Sequence, residues 1–163
     1  MTEMAYEVEK LKFKIVPSKH MEANELLKLQ KEAFHSDLIK YKDYFLSPAA
    51  ESLQYFILKM QTSLYYSIFV DGRLAGGICI LEQTKDHYYL YRIFLGSEFQ
   101  NKGLGSKILQ QLEKQFFLVK KWSLDTPKDN RRNRHFYEKH GYIKTGEQQI
   151  TKYLTLIYYE KNL

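Results

Sequence analysis

The stretch that most limits what this chain can become is residues 90–117. An apolar, aromatic run (Leu90, Tyr91, Ile93, Phe94, Leu95) reads as part of a buried strand over 87–95. Gln100-Asn101-Lys102-Gly103-Leu104-Gly105-Ser106 follows after a short turn. Leu104, Ile108, Leu109, Leu112 and Phe116 then recur at helical spacing, with Gln110, Gln111, Glu113 and Lys114 mostly on the other face. A strand that passes through a glycine-rich turn into a helix forms an anion site. The first helical turn has free backbone N–H groups, and its dipole favours negative charge. Gly103 and Gly105 carry no Cβ, so a phosphate can approach the backbone, and Lys102 adds a mobile positive charge. The same residues would also make a tight turn that holds no ligand, and this stretch alone leaves both readings open.

The rest of the chain supplies nine further elements, and the whole reads in a β-α-α-β-β-β-α-β-α-β-β order. Residues 11–16 alternate and read as a half-buried strand, with Ser18 as the cap of a helix over 21–34. Residues 35–45 are polar and tyrosine-rich and read as a connection. Ser47-Pro48 starts a second helix, with Leu53, Phe56, Ile57 and Met60 inward. Strands over 63–70 and 73–82 flank Asp71-Gly72, a tight-hairpin signal. Gly76-Gly77 inside the second of these indicates a bulge or a close backbone approach. A strand over 121–124 ends at Thr126-Pro127, and a helix capped by Asp129 or Asn130 closes at Gly141. Residues 142–145 and 150–159 read as the last strands. Hairpins plus one crossover helix predict an α/β (α+β) architecture: a mixed, mostly antiparallel sheet of six or seven strands with about four helices on its faces.

Composition sets the outer bounds. At 163 residues the chain is expected to be one domain spanning 1–163, with 1–10 as a loose arm. Hydrophobic residues at 44% and aromatics at 15% argue against disorder. No apolar run approaches the roughly 20 residues of a membrane span, so no membrane partner is expected. Cys79 is the single cysteine, which rules out an intrachain disulfide and points to a cytoplasmic protein. In an apolar strand it reads as a structural thiol. His135 and His140 are five apart and do not share a helix face, so no metal is expected. The net charge of +6 suits an anionic partner, whether nucleic acid, an acidic surface or a phosphorylated cofactor.

The glycine turn is not a G-x-x-x-x-G-K-[ST] phosphate loop, and Ile108 stands where G-x-G-x-x-G needs a third small residue. Gln100-x-x-Gly103-x-Gly105 does match the [RQ]-x-x-G-x-[GA] signature of the GNAT acyltransferase superfamily. A second stretch, from Asn130 to Tyr142, looks like that superfamily's N-x-x-A-x-x-[LF]-Y-x-K-x-G-[FY] helix. Asn130, Phe136, Tyr137, Lys139, Gly141 and Tyr142 match, and Asn133 stands where alanine is usual. Read alone, that stretch is equally a basic surface helix anchored by Phe136 and Tyr137. The chain resembles the superfamily over essentially its whole length.

The resemblance implies that acetyl-CoA lies between the strand ending near Leu95 and the one around Trp122 to Asp125. Its pantetheine arm would pair with the backbone of Phe94 and Leu95. Its pyrophosphate would sit on the N–H groups of Gln100, Asn101, Lys102, Gly103, Leu104, Gly105 and Ser106. Asn130 would bond the cofactor arm, and Lys139, Arg131, Arg132 and Arg134 are candidates for the 3′-phosphate. The implied reaction is direct acetyl transfer to a primary amine, with Tyr137 as the general acid for the thiolate. A phenol with a reference pKa of about 10 stays protonated at neutral pH. The glutamate that some members carry on the central strand is Tyr89 here. Glu82, Asp86, His87 and Glu98 are near it in sequence, Asp125 follows the next strand, and none of them is assigned as the base. The acceptor is a small-molecule or peptide amine. Asp37, Tyr41, Asp43 and Tyr44 favour a cationic, partly apolar one. A homodimer through the last strands is implied by the resemblance alone. The competing readings are an acyl-CoA-binding sensor without catalysis and a basic nucleic-acid-binding domain; for the latter, no helix-turn-helix, RNA-recognition motif or zinc finger is present.

Overall fold

In chain order the elements of the computed structural model are β1 (Phe13–Pro17), α1 (Ala23–Tyr41), α2 (Leu53–Thr62), β2 (Leu64–Val70), β3 (Arg73–Thr84), β4 (His87–Leu95), α3 (Leu104–Gln115), β5 (Lys121–Pro127), α4 (Arg131–Lys139), β6 (Ile143–Gln149) and β7 (Thr155–Asn162). Short 3-10 turns precede α1, α2 and α3. The structure describes residues 11–42 and 47–163. The strands form one sheet in the order β1-β2-β3-β4-β5-β7-β6, as the expected mixed sheet with helices on its faces. Every pairing is antiparallel except that of β4 with β5.

That one parallel pairing is short. His87, Tyr88 and Tyr89 pair with Lys121, Trp122 and Ser123, and the two strands then part. From Leu90 to Leu95, β4 has a partner only on its β3 side. On that side a bulge intervenes: Cys79 pairs with Arg92 and Ile80 with Leu90, which leaves Tyr91 as an extra residue. A bulge reverses which face the following side chains meet. Tyr88 and Leu90 therefore share a core with Ile93 and Leu95, three residues out of simple alternation.

Helices cover both faces. On one, Leu104, Ile108, Leu109 and Leu112 of α3 pack with Tyr137 and Tyr142 against Ile78, Ile80, Trp122 and Ile157. On the other, Leu26 and Leu29 of α1 and Phe56 of α2 pack against Tyr65, Cys79 and Phe94. Asp71 and Gly72 both take left-handed φ angles, 49° and 80°, which makes the predicted tight hairpin. The glycine pair is the predicted close approach: a Cβ on Gly76 would lie 1.9 Å from the Phe94 carbonyl oxygen.

Several sequence boundaries move. The first helix does not end at 34 but runs to Tyr41, because the 35–41 stretch has no Gly or Pro and Gln30, Phe34 and Tyr41 prolong its inward stripe. Lys42 then closes it at φ 52°. Ser18 is not a cap; its hydroxyl meets Ser67 Oγ at 2.7 Å, and the helical turn starts at His20. Ser47-Pro48 caps only a 3-10 turn, and α2 starts anew with Ser52 accepting from the Tyr55 N–H at 3.2 Å. β5 is longer than predicted and includes Thr126 and Pro127, since proline is tolerated where a strand has a free edge. The last two strands meet at a turn over 150–154, not over 146–149, with the Ile150 N–H donating to the Leu154 carbonyl at 2.9 Å. The expected arm at 1–10 and the Asp43 and Tyr44 positions lie outside the described residues.

Candidate active site

The glycine turn is shaped by two left-handed residues, Asn101 at φ 60° and Gly103 at φ 75°. Gly103 is the N-cap of α3 and supplies no side-chain oxygen, so the first N–H groups of that helix are left open. The Gln100 side chain turns back and donates to the Leu95 carbonyl at 2.8 Å, tying the end of β4 to the turn. α4 begins beside it. Asn130 Oδ1 accepts from the Asn133 N–H at 3.0 Å, which leaves the Asn130 amide NH2 for another partner. The Arg132 guanidinium donates to Asn101 Oδ1 and bridges the two helix starts.

Between them lies a cleft of about 520 Å³. Its walls include Phe94, Leu95, Gln100, Asn101, Gly103, Leu104, Gly105, Ser106, Asn130, Arg132 and Lys139. All but one of the predicted cofactor residues are thus brought together. Lys102 is exposed and stands apart from the lining. Arg134 is unsuited to the phosphate role considered for it, because it donates to the Tyr159 hydroxyl at 3.2 Å and the Lys128 carbonyl at 3.1 Å. Arg131 is exposed and outside the cleft. Ser106 Oγ lies 2.9 Å from His140 Nε2. Burial, Lys139 and Lys161 hold that imidazole below its usual pKa.

A second cavity of about 300 Å³ opens on the far side of the same junction. The two share Phe34, Asp37, Ile93, Asn133 and Tyr137. Tyr137 is only 8% exposed and lines both cavities. Burial, reinforced by Asp125, pushes that phenol well above its usual value. Asp125 lines the second cavity and accepts a short hydrogen bond from the Tyr89 phenol. Burial raises the Asp125 carboxyl, against the opposing pull of that bond and of Arg92.

Sequence reasoning passed over the floor of this cavity. Arg92 Nη1 lies 2.5 Å from Glu51 Oε2, and both side chains are buried. Gln30, fully buried, donates to Glu51 Oε1 at 3.3 Å and to the Pro48 carbonyl at 3.0 Å. Burial disfavours the Arg92 cation, but Glu51, Tyr91 and Tyr65 together hold it above its usual pKa. One arginine within an otherwise apolar, aromatic strand was the available signal. The other carboxylates near Tyr89 in sequence are elsewhere. Glu98 pairs with Arg73 at 2.6 Å, Asp86 accepts from Thr84 at 2.9 Å, and Glu82 lines neither cavity. His87 Nε2 meets Ser123 Oγ at 2.6 Å. Cys79 is buried 3.3 Å from Ser63 Oγ, and burial pushes its thiol up. Among the described residues, no three His, Cys, Asp or Glu side chains could hold a metal ion, and no helix is long and apolar enough to cross a membrane.

The acetyltransferase (GNAT) family model matches residues 24–142, the span that contains β4, the glycine turn, α3, β5 and α4. This chain belongs to the GNAT acetyltransferase family. No curated protein matches the sequence. Solved structures extend the GNAT likeness beyond the matched span. The PaiA N-acetyltransferase from Thermoplasma acidophilum, in complex with coenzyme A, is 17% identical with a TM-score of 0.70, covering 93% of this chain and 99% of that one. The ribosomal-protein-S18-alanine N-acetyltransferase from Escherichia coli is 16% identical with a TM-score of 0.74, covering 93% and 94%. A GNAT acetyltransferase from Elizabethkingia anophelis with acetyl-CoA bound is 16% identical with a TM-score of 0.66, covering 93% and 98%. At these identities the likeness is one of fold.

Proposed function

We propose that this GNAT protein transfers the acetyl group of acetyl-CoA to a primary amine by direct attack, with Tyr137 as proton donor to the departing sulfur. The observation that carries this reading is the meeting of two cavities at the buried phenol of Tyr137. In it the N–H groups from Asn101 to Ser106 receive the pyrophosphate, helped by the α3 dipole; the Gln100 N–H is already spent on the Ser97 carbonyl at 3.3 Å. The unpaired edge of β4 at Phe94 and Leu95 receives the amide-bearing arm as a strand would. Asn130 offers its free amide, and Lys139 and Arg132 meet phosphate charge. Gln100 acts through its hold on Leu95, and Lys102 acts only as a charge at the cleft's outer side.

The acceptor enters from the second cavity and must be neutral to attack, since a free alkylammonium has a pKa of about 10.4. Its nitrogen bonds to the thioester carbonyl carbon, the C–S bond breaks, and the sulfur takes a proton from Tyr137. The proton lost by nitrogen restores the balance, so the products are amide and free thiol. Burial keeps the phenol protonated at neutral pH, and the same burial makes a departing thiolate a stronger base than in water. A backbone N–H near Leu95 polarises the carbonyl.

The test begins with calorimetric titration of acetyl-CoA. Gly105→Glu puts a carboxylate at the anion site; an acidic residue suits a helix N-terminus, so binding is lost without loss of fold. Tyr137→Phe removes only a hydroxyl and keeps the ring, so acetyl-CoA affinity stays nearly unchanged. Turnover falls by about a hundredfold or more. Unchanged turnover removes Tyr137 from the donor role.

A further inference from the structure

The chain carries a net charge of +6, yet its second cavity is acidic. Among the described residues its charged lining is Asp37, Arg92 and Asp125. Arg92 is neutralised by Glu51 at 2.5 Å, whereas among the described residues neither Asp37 nor Asp125 has a salt-bridge partner. Asp125 accepts from the Tyr89 phenol through one of its two carboxylate oxygens. Lys40 lies near Asp37, 5.3 Å from the Tyr41 ring centroid, but it is exposed and outside the lining.

A second observation is independent of the carboxylates. Tyr41 lines the same cavity, is 4% exposed, and its buried phenol oxygen has no hydrogen-bond partner. An unmet buried hydroxyl costs free energy, so a ligand that bonds it recovers that cost. Burial, then Asp37 and Asp129, push this phenol up to about 12. Negative charge is therefore felt around Tyr41, and further charge is felt at Tyr137, where Asp125 acts on the phenol. The cavity is small for a ligand pocket, and Phe34, Leu90 and Ile93 are among its walls. Two carboxylates that favour cations, in a cavity with apolar walls, match a short alkyl chain with an ammonium at each end.

The geometry points to a small alkyl diamine or polyamine as the acceptor, its reacting amine at Asp125 and Tyr137 and its second ammonium at Asp37 and Tyr41. This rests on the acetyl-transfer reading above and narrows it to a substrate class. Asp37 is then a specificity residue and takes no part in the chemical step. A neutral monoamine satisfies one end only. An ω-amino acid brings its carboxylate against Asp37.

The experiment is initial-rate thiol release by the full chain at saturating acetyl-CoA. The acceptors are a homologous series of α,ω-diaminoalkanes, the matching n-alkylamines and the matching ω-amino acids. The best diamine is expected to exceed its monoamine in kcat/KM by about tenfold or more, as a charged hydrogen bond gained at the distal end predicts. The amino acids fall below both. Asp37→Asn lowers the ratio of diamine to monoamine kcat/KM toward one, and the loss appears in the KM for the diamine. Equal rates for diamine and monoamine overturn the inference, as does an Asp37→Asn variant that keeps the advantage. Absence of thiol release with every amine, despite acetyl-CoA binding, sinks the transfer reading instead. In that event calorimetric titration of the same diamines into the acetyl-CoA complex decides the cavity: diamine binding weakened by Asp37→Asn supports the ligand class, and no binding overturns it.

Discussion

Replacing Glu51 by glutamine keeps the shape of the cavity floor and deletes one charge. Arg92 and Glu51 are 8% and 5% exposed at their side chains and 2.5 Å apart, so water cannot take over when one partner goes. Gln30 stays hydrogen-bonded to position 51 but carries no charge. The variant leaves an uncompensated guanidinium in the interior, a change that costs about 3–5 kcal/mol. Against a total stability of about 5–15 kcal/mol this is a large fraction. In urea, with a slope of about 2 kcal/mol/M, the midpoint should fall by about 2 M. The double variant Glu51→Gln with Arg92→Met should recover most of the loss, because a buried pair replaced by apolar volume is often neutral. The kinetic readout is separate. An unpaired Arg92 adds positive charge to the acceptor cavity, so KM for a cationic amine rises while acetyl-CoA affinity holds. A single variant within about 1 kcal/mol of the parent, or a double variant no better than the single, refutes the picture of a dry, mutually dependent pair.

Other perturbations test the frame around the site. Gly76→Ala places a Cβ 1.9 Å from the Phe94 carbonyl, so β3 and β4 must separate; a loss of about 1–3 kcal/mol or more is expected in denaturant unfolding, with weaker acetyl-CoA binding by calorimetry. Asp125→Asn should raise the melting temperature at neutral pH. Burial lifts the folded carboxyl above its unfolded value, so the ionised group disfavours the fold above the folded pKa, and the penalty disappears as pH falls below the unfolded value of about 3.9. A stabilisation that persists unchanged at low pH would contradict this sign. Asn130→Ala removes the α4 cap and should cost about 1 kcal/mol, readable as a lower urea midpoint.

The cofactor half of the site was far more legible than the acceptor half. The glycine turn and the Asn130 to Tyr142 helix are local: the residues that shape each cleft wall are sequence neighbours, so spacing alone reports them. β4 itself was read with its observed ends. Its bulge was not foreseen, because Leu90 and Ile93 both look inward in an apolar run and only their odd spacing betrays Tyr91. The acceptor cavity is built from contacts at long separation, such as Glu51 with Arg92 and Tyr89 with Asp125. No periodicity links those partners. The 35–41 stretch reads as a connection because it is polar, yet it is helical: His35, Ser36 and Lys40 face solvent while Asp37 and Tyr41 line the second cavity.

The parting of β4 from β5 after Tyr89 creates an edge in the middle of a sheet. Edges at the rim of a sheet are open to any passing strand and are usually blunted by charge or proline. This one is sheltered on both faces by helices, so it excludes a folded neighbour while remaining hungry for hydrogen bonds. What satisfies it must be slender, extended and rich in amides. On the proposed reading the molecule sorts its ligands by outline before any charged group is consulted, and the cofactor arm becomes, for the time it stays, the sheet's missing stretch of ladder.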